Sequence, residues 1–225
     1  MFGENKVYKI KDFKTNDKLV IKSIFYTIQG EGIYAGIPAT FIRTGHCSLS
    51  CDFCDTDFSN DLMEMTVDEI LAKVEEITPS TTNLIVLTGG EPLLQTKIGE
   101  LINKLIAADF VVQLETSGSV CVDTIPFNDE SLTIVCSPKT SKVAAKLEPY
   151  IDHYKYIISH DNIDPIDGLP LKVARPKNDL AEIWVSPMDN YDIDINKLNL
   201  KTVAKVAMEF GYRVSLQMHK YLDVE

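Results

Sequence analysis

The sequence predicts an α/β fold built around a parallel β-sheet. Two observations support this prediction: short apolar stretches alternate with helical patterns, and polar or glycine-rich groups recur directly after the apolar stretches. Such alternation is typical of strands that lie parallel to one another and are joined by helices. The chain has 225 residues, a length that one α/β barrel reaches. We therefore expect a single domain over residues 1–225, with a loosely held N-terminal extension over residues 1–17.

Apolar and β-branched residues mark the strands. Leu-Ile-Val-Leu at residues 84–87 is a short, continuously apolar run of the kind that is buried in parallel sheets. The same reasoning predicts strands at residues 19–27, 39–44, 84–87, 110–114, 132–136, 154–159, 183–185 and 213–216.

The helices are marked by their ends. Thr66 is a suitable cap, and Asp68 and Glu69 follow it in the first turn, where acidic side chains complement the helix dipole. Gly211 stops the last helix. The predicted helices span residues 66–77, from after Pro92 to about residue 109, 141–147 and 200–210.

Composition narrows the class of protein. Hydrophobic residues make up 45% and charged residues 24% of the chain, which is typical of a soluble globular protein. The net charge of −11 argues against a broad interface with nucleic acid, whose phosphates require Lys and Arg. The first residues lack the apolar core of a secretory signal, and no apolar run is long enough to span a bilayer. We expect a cytoplasmic protein that binds neither nucleic acid nor a membrane.

A cysteine-rich segment is the strongest functional feature. Cys47, Cys51 and Cys54 follow the spacing C-x3-C-x2-C in a segment with neither helical nor strand periodicity. Thiolates are soft ligands that suit iron–sulfur clusters and zinc. A closed zinc site or a fully ligated cluster needs four protein ligands, whereas this segment supplies three. Three thiolates on a four-iron cluster would leave one iron open to a small molecule.

A zinc site is the main alternative for these cysteines. His46, or one of the distant residues Cys121 and Cys136, would then supply the fourth ligand. Disulfides are less favoured, because clustered thiols in a chain without a secretory signal belong to a reducing compartment.

Polar groups after the other strands suggest one shared ligand site. Gly30 and Gly32 flank Glu31, so the backbone there either approaches a ligand closely or forms a hairpin turn. Arg43 ends the second strand and either binds a carboxylate bidentately or is a solvated charge. Ligands bind at the carboxyl edge of parallel strands. We expect these groups to share that rim with the segments at residues 88–92, 115–118 and 137–139.

Taken together, the motifs resemble those of 7-carboxy-7-deazaguanine synthase, a family of radical S-adenosylmethionine (SAM) enzymes. C-x3-C-x2-C alone identifies only the wider superfamily, and Gln-Gly-Glu-Gly with Cys-Asp-Thr narrows it to this family. The resemblance runs from about residue 19 to the C-terminus. Its motifs lie at residues 27–32 (Thr-Ile-Gln-Gly-Glu-Gly), 41–43 (Phe-Ile-Arg), 54–56 (Cys-Asp-Thr), 88–92 (Thr-Gly-Gly-Glu-Pro) and 217–220 (Gln-Met-His-Lys).

The resemblance implies a fold and a reaction. The fold is a partial (β/α)6 TIM-like barrel of the radical SAM type, modified and shortened. The reaction converts 6-carboxy-5,6,7,8-tetrahydropterin to 7-carboxy-7-deazaguanine with loss of ammonia, on the route to queuosine. Cys47, Cys51 and Cys54 would hold a [4Fe-4S] cluster whose open iron binds SAM, and a radical derived from SAM would abstract hydrogen from C6 of the pterin. The resemblance also implies a reducing partner such as flavodoxin or ferredoxin, and a homodimer.

The resemblance also assigns site residues. Arg43 would hold the pterin carboxylate, and Glu31 would accept hydrogen bonds from its donor edge, so both join the three cysteines as candidate catalytic residues. Thr56 would bind Mg²⁺, which favours hard oxygen ligands. The residues assigned to SAM are Phe53, Cys54, Asp55, Gly89, Gly90, Glu115, Ser117, Ser137, Pro138, Lys139, Ser186 and Asp189. Those assigned to the substrate are Ile28, Gln29, Gly30, Glu31, Arg43, Thr88, Gln217 and His219.

Two other functions remain open at this point. A glycyl-radical-enzyme activase also uses C-x3-C-x2-C, but it needs a groove for a protein loop. Residues 29–32 and Arg43 favour a small anionic substrate instead. The alternative from a different class is a zinc-bound, non-catalytic interaction domain.

Overall fold

The computed structural model describes residues 6–13, 17–54, 56–58, 60–177 and 181–224. The strands are β1 (Leu19–Ile28), β2 (Pro38–Thr44), β3 (Met63–Met65), β4 (Leu84–Gly89), β5 (Val111–Thr116), β6 (Leu132–Cys136), β7 (His153–Ile158), β8 (Glu182–Pro187) and β9 (Arg213–Val214). The α-helices are α1 (Val67–Ile77), α2 (Ile98–Ala107), α3 (Ile193–Phe210) and α4 (His219–Leu222). Every strand expected from the sequence is present.

The strands form one nine-stranded sheet in the order β3-β1-β2-β4-β5-β6-β7-β8-β9. From β2 to β9 in this order, neighbouring strands are parallel, which confirms the predicted α/β class. The prediction of a wholly parallel sheet is wrong at one end, because β1 runs antiparallel to both β2 and β3. β2 and β4 to β8 supply the six longer parallel strands of the expected (β/α)6 arrangement.

Side chains alternate between two faces of the sheet. On β7, Tyr154, Tyr156 and Ile158 are buried in the main hydrophobic core with residues of α3. Lys155 and Ile157, between them in sequence, line a cavity on the opposite face. The helices α1, α2 and α3 each contribute apolar side chains to the same core. The helical layer therefore covers one face of the sheet and leaves the other for a ligand site.

Three helix predictions need correction. The helix predicted after Pro92 is interrupted: a 3-10 turn at Pro92–Leu94 precedes α2, which begins only at Ile98. The helix predicted at 141–147 is absent, since the Ala144 N–H donates to Gly118 O (2.8 Å) and a 3-10 turn follows at Glu148–Tyr150. The last long helix, α3, starts at Ile193 instead of residue 200, because the Asp192 side chain caps it there.

The break before α2 has a specific cause in Gln95. Its side chain accepts a hydrogen bond from Val20 N (2.7 Å) and donates to Val20 O (2.8 Å) and Gly45 O (3.3 Å). Gln95 is 2% exposed, and it joins β1 to the residue that leads into the cysteine segment. A continuous helix would carry this side chain away from β1.

The described part of the N-terminal extension is held against the cysteine segment. Tyr8 N donates to Cys47 O (2.9 Å), and the Tyr8 ring stacks on His46 with ring centres 4.0 Å apart. Phe13 is buried beside Val20. Residues 6–13 are therefore not loosely held, because aromatic contacts fix them. Within the described residues, none of the helices combines the length and apolar character needed to cross a bilayer.

We expect Gln95→Leu to lower the free energy of unfolding by about 1–3 kcal/mol for each buried backbone group that it leaves without a partner. Urea unfolding of the variant measures this loss, with Glu100→Gln on an exposed position of α2 as the control. A change equal to that of the control would show that Gln95 does not hold β1 in place.

Candidate active site

A cavity of about 300 Å³ brings together most of the residues singled out in the sequence. Gly30 and Pro138 do not line it, and Asp55 lies outside the residues that the structure describes. The predicted residues that line the cavity are Ile28, Gln29, Glu31, Arg43, Cys47, Cys51, Phe53, Cys54, Thr56, Thr88, Gly89, Gly90, Glu115, Ser117, Ser137, Lys139, Ser186, Asp189, Gln217 and His219.

The three predicted thiols face this cavity from one loop. Cys47 is buried, Cys51 and Cys54 are half-buried, and Cys54 N donates to Cys51 O (3.1 Å) in a tight turn. Burial raises the pKa of the Cys47 thiol to about 12, so a metal centre is needed to keep it as a thiolate at neutral pH. Cys121 and Cys136 do not line the cavity.

The donor set suits an iron–sulfur cluster, because three thiols from one loop face the same cavity and thiolates are the ligands of such clusters. In the described part of the chain, no three His, Cys, Asp or Glu side chains are grouped so as to hold one metal ion.

The end of β4 fixes the cysteine loop by backbone contact. Gly90 N donates to Thr44 O (3.1 Å), and Glu91 N donates to His46 O (2.9 Å), one residue before Cys47. A Cβ at position 90 would lie 1.8 Å from His46 O, so only glycine fits. This contact fixes the position of the cysteine loop relative to the carboxyl ends of the parallel strands.

Glu91 is a site residue to which the sequence assigned no role. Its carboxylate is fully buried and accepts hydrogen bonds from Thr116 Oγ1 (2.7 Å), Ser117 N (2.9 Å) and Leu93 N (3.2 Å). Burial raises the pKa of this carboxyl, although the hydrogen bonds oppose the rise. Glu91 joins the ends of β4 and β5, so it shapes the cavity without lining it.

A second carboxylate, Glu115, organises the interior of the cavity. It accepts hydrogen bonds from Thr88 Oγ1 (2.9 Å), Gln29 Nε2 (3.2 Å) and Gln113 Nε2 (2.8 Å). Two of these donors, Gln29 and Thr88, are residues that the sequence assigned to the substrate. Glu115 therefore orients the side chains of Gln29 and Thr88 in the cavity.

The Gln-Gly-Glu-Gly segment reaches the cavity by an unexpected route. Because β1 is antiparallel, its last residue, Ile28, pairs with Pro38, the first residue of β2. The segment after β1 thus starts at the amino ends of the parallel strands, whereas the cysteine loop follows the carboxyl end of β2. The prediction of one shared rim is therefore wrong for this motif. It lines the same cavity because it folds inward.

Contacts with the C-terminal segment hold it there. Met218 N donates to Gly30 O (3.1 Å), and Gly32 N donates to Ser215 Oγ (3.0 Å). A Cβ on Gly30 would lie 2.4 Å from His219 Nδ1, which explains the glycine although it does not line the cavity. These contacts connect the segment after β1 with the segment after β9, although the two strands lie near opposite ends of the strand order.

The cavity carries more positive charge than the chain as a whole. Arg43 lies over the Phe25 ring (5.3 Å), and Lys139 Nζ donates to Ser137 O (3.0 Å). Burial lowers the pKa of Lys139 to about 8, helped by repulsion from Lys155. Three cationic groups, Arg43, Lys139 and Lys155, and three carboxylates, Glu31, Glu115 and Asp189, line this cavity in a chain of net charge −11. The cationic side chains are groups to which an anionic ligand can bind.

Lys155 is a charged cavity residue that the sequence analysis missed. It forms an ion pair with Glu31, and the two side chains are 11% and 14% exposed. Burial alone would raise the pKa of Glu31, but the ion pair and hydrogen bond with Lys155 lower it overall. The available signal was a lysine at an inward position of an otherwise apolar strand.

Asp189 uses its carboxylate to hold the chain together. It accepts hydrogen bonds from Lys220 Nζ (2.6 Å), Asn196 Nδ2 (2.8 Å) and Tyr191 N (2.9 Å). The Lys220 bond is the main reason that the pKa of Asp189 is lowered to about 2. Asp189 therefore anchors α4 to the end of β8.

Comparison with known proteins agrees with this arrangement. The family model described as Radical SAM superfamily matches residues 41–135. The 7-carboxy-7-deazaguanine synthase of Rhodospirillum rubrum is 38% identical over 239 residues and covers 100% of both chains. That of Rickettsia prowazekii is 41% identical over 235 residues, covering 100% of this chain and 96% of the relative.

A solved structure supports the fold independently. The crystal structure of QueE from Escherichia coli superposes with a TM-score of 0.69, covering 94% of this chain and 99% of that one at 21% identity. At this identity the likeness concerns the fold alone, and it confirms the predicted partial barrel of the radical SAM type.

We expect Gly90→Ala to lower the free energy of unfolding by about 3 kcal/mol or more, because its Cβ meets rigid backbone. Gly30→Ala, whose Cβ meets mainly the movable His219 side chain, should cost only about 1 kcal/mol. Urea unfolding of both variants gives the comparison. Equal losses would show that β4 does not hold the cysteine loop by close contact.

Proposed function

The chain belongs to the 7-carboxy-7-deazaguanine synthase family of radical SAM enzymes, and we propose how its own residues carry out that activity. The reaction is the conversion of 6-carboxy-5,6,7,8-tetrahydropterin to 7-carboxy-7-deazaguanine with release of ammonia, in queuosine biosynthesis. The observation that supports it best is that three thiols and the groups suited to a small anion, Arg43 among them, share one cavity. Neither a glycyl-radical-enzyme activase nor a zinc interaction domain accounts for the full-length similarity.

The family implies a [4Fe-4S] cluster and SAM, and in our proposal Cys47, Cys51 and Cys54 hold the cluster. When bound, the cluster and SAM would supply the radical chemistry that removes a hydrogen atom from the substrate and later returns it. The protein has to align the two ligands and exclude water. The close packing of residues 6–13 on the cysteine loop serves the second task.

The SAM-binding part of the proposal follows the ends of β4, β5 and β6. Gly89 and Gly90 present backbone without side chains to the methionine end of SAM. Ser117 and Ser137 line the same cavity and offer hydroxyl groups to the ribose of SAM. The remaining groups assigned to SAM by the family resemblance are Phe53, Cys54, Asp55, Glu115, Pro138, Lys139, Ser186 and Asp189. Of these, Asp189 acts through its hold on α4.

The substrate-binding part uses opposite charges. Arg43 holds the pterin carboxylate by charge-assisted hydrogen bonds, and the Glu31 carboxylate accepts hydrogen bonds from the N–H edge of the ring. Thr88 and Gln29, both oriented by Glu115, contact the ring between these ends. The other members of the proposed set are Ile28, Gly30, Gln217 and His219.

We also propose that Thr56 is a ligand of Mg²⁺. This residue lines the cavity, and a hydroxyl oxygen is a ligand that Mg²⁺ accepts together with water and substrate oxygens. An ion there would orient the substrate and polarise the oxygen to which it binds.

The proposed setting is the cytoplasm, with a small-molecule substrate and no nucleic-acid partner. All five cysteines are free thiols, which suits a reducing compartment. Cleaving SAM needs one electron, which returns when SAM is re-formed, so we propose a reducing protein such as flavodoxin or ferredoxin as the partner that supplies the first electron. A homodimer and a single domain over residues 1–225 complete the proposal.

Activity is tested by anaerobic incubation of the iron–sulfur-reconstituted protein with SAM, dithionite, Mg²⁺ and 6-carboxytetrahydropterin. Mass analysis should find 7-carboxy-7-deazaguanine while SAM remains intact, because SAM acts as a true cofactor. Consumption of SAM without a deazapurine product would contradict the proposal.

We expect Cys47→Ala, Cys51→Ala and Cys54→Ala each to lose the cluster after reconstitution, whereas Cys121→Ala keeps it. Iron content and the broad cluster absorption near about 400 nm provide the measurement. Retention of a full cluster by any of the first three variants, or its loss from the Cys121 variant, would show that the ligand set is wrong.

We expect Arg43→Ala to weaken pterin binding by about 10- to 100-fold, since a hydrogen bond to a charged group is worth about 1.5–3 kcal/mol. SAM binding should change little. Calorimetric titration of each ligand provides both numbers, with Arg213→Ala on the exposed edge strand as a control. Unchanged pterin affinity would remove Arg43 from the site.

A further inference from the structure

Lys155 and Glu31 form an ion pair that is nearly closed off from solvent. They lie 124 residues apart in sequence, on β7 and on the segment after β1. Both line the cavity. Glu31 N also donates to Gln29 Oε1 (3.1 Å), so backbone and side chain of Glu31 are both fixed.

An ion pair that is buried in this way costs free energy, so its presence in the cavity points to a functional role. Removing two charges from water is expensive, and apolar side chains of similar volume are often as stable or more so. Without Lys155 the pKa of the Glu31 carboxyl would rise, because burial is the largest influence on that pKa and acts to raise it. A protonated carboxyl would donate one hydrogen bond instead of accepting several.

We propose that Lys155 is a positioning residue that keeps the Glu31 carboxylate charged and aimed into the cavity, so that the site selects a substrate edge rich in N–H donors. This inference rests on the proposed function, in which that edge belongs to the pterin ring. Lys155 acts through Glu31 and need not touch the substrate.

Several other groups face Glu31 and enter its titration. Gln217 donates to it, and His219 exerts a favourable charge effect from the start of α4. Lys139, after β6, is within electrostatic range of both Glu31 and Lys155. Glu115 on β5 is linked to Glu31 through Gln29. The experiment must therefore separate the contribution of these groups from that of Glu31.

The test is the pH dependence of pterin binding to the reconstituted, SAM-bound holoenzyme without reductant, measured by calorimetry between about pH 6 and 9. In Lys155→Met the strongest influence that opposes burial is lost, so the pKa of Glu31 rises and a larger fraction of its carboxyl is protonated at a given pH. We expect binding about 10- to 100-fold weaker than wild type near pH 7. The deficit should shrink as pH rises, because Glu31 then ionises. Lys155→Arg keeps the positive charge, so pterin binding by this variant should show the pH dependence of the wild-type protein.

Glu31→Gln and Glu31→Gln/Lys155→Met complete a cycle that isolates the proposed effect. Because the amide does not titrate, both variants should bind the pterin equally and with the same pH dependence. Lys205→Met, exposed on α3, is the control for loss of a lysine. If Lys155→Met fails to fold, Lys155→Gln takes its place, because it keeps a hydrogen-bond donor for Glu31 but removes the charge, and it should show the same pH-dependent deficit.

Two outcomes would overturn the inference. A deficit in Lys155→Met that is constant with pH would mean that the lysine does not act on the ionisation of Glu31. Weaker binding by the double variant than by Glu31→Gln would mean that Lys155 contacts the substrate directly. If wild-type protein binds no pterin at any pH, the proposed function fails instead, and that result is distinct from either outcome.

Discussion

The close contact between the end of β4 and the cysteine loop is the constraint on which the site depends. Gly90 lies so near His46 O that no side chain fits between them, and Glu91 N donates to that same oxygen. The buried Glu91 carboxylate then carries this anchor to the end of β5. A loop without regular structure is thereby held at a fixed distance from the strands whose ends bind ligands.

The cavity is completed from the other direction by a reversed strand. Because β1 is antiparallel to β2, the segment that carries Glu31 begins at the amino ends of the parallel strands. It then folds inward, where it contacts Lys155 and the C-terminal segment. In the proposed site, cofactor groups thus come from the carboxyl ends of the parallel strands and part of the substrate site from their amino ends. The partial barrel would enclose both ligands, and enclosure excludes water from a reaction.

Local signals in the sequence predicted eight of the nine strands of the described sheet, all but β3, whereas most of the cavity residues were assigned through the family resemblance. Apolar runs mark the strands, and the cysteine spacing marks the loop. The direction of β1 depends on pairing with distant residues, so no local pattern revealed it. Gln95 broke the predicted helix through contacts with Val20, 75 residues away. Lys155 escaped notice for a similar reason, since its role depends on Glu31, which only the fold brings near.

The central claim is that three thiols leave one corner of a cluster to SAM. It is tested most directly by the electron paramagnetic resonance spectrum of the reduced, reconstituted protein with and without SAM. The account predicts that SAM changes the line shape, because the ligands of one iron change when SAM binds. An unchanged spectrum at a SAM concentration shown separately to saturate the protein would contradict it, since the fourth iron would then already have a protein ligand.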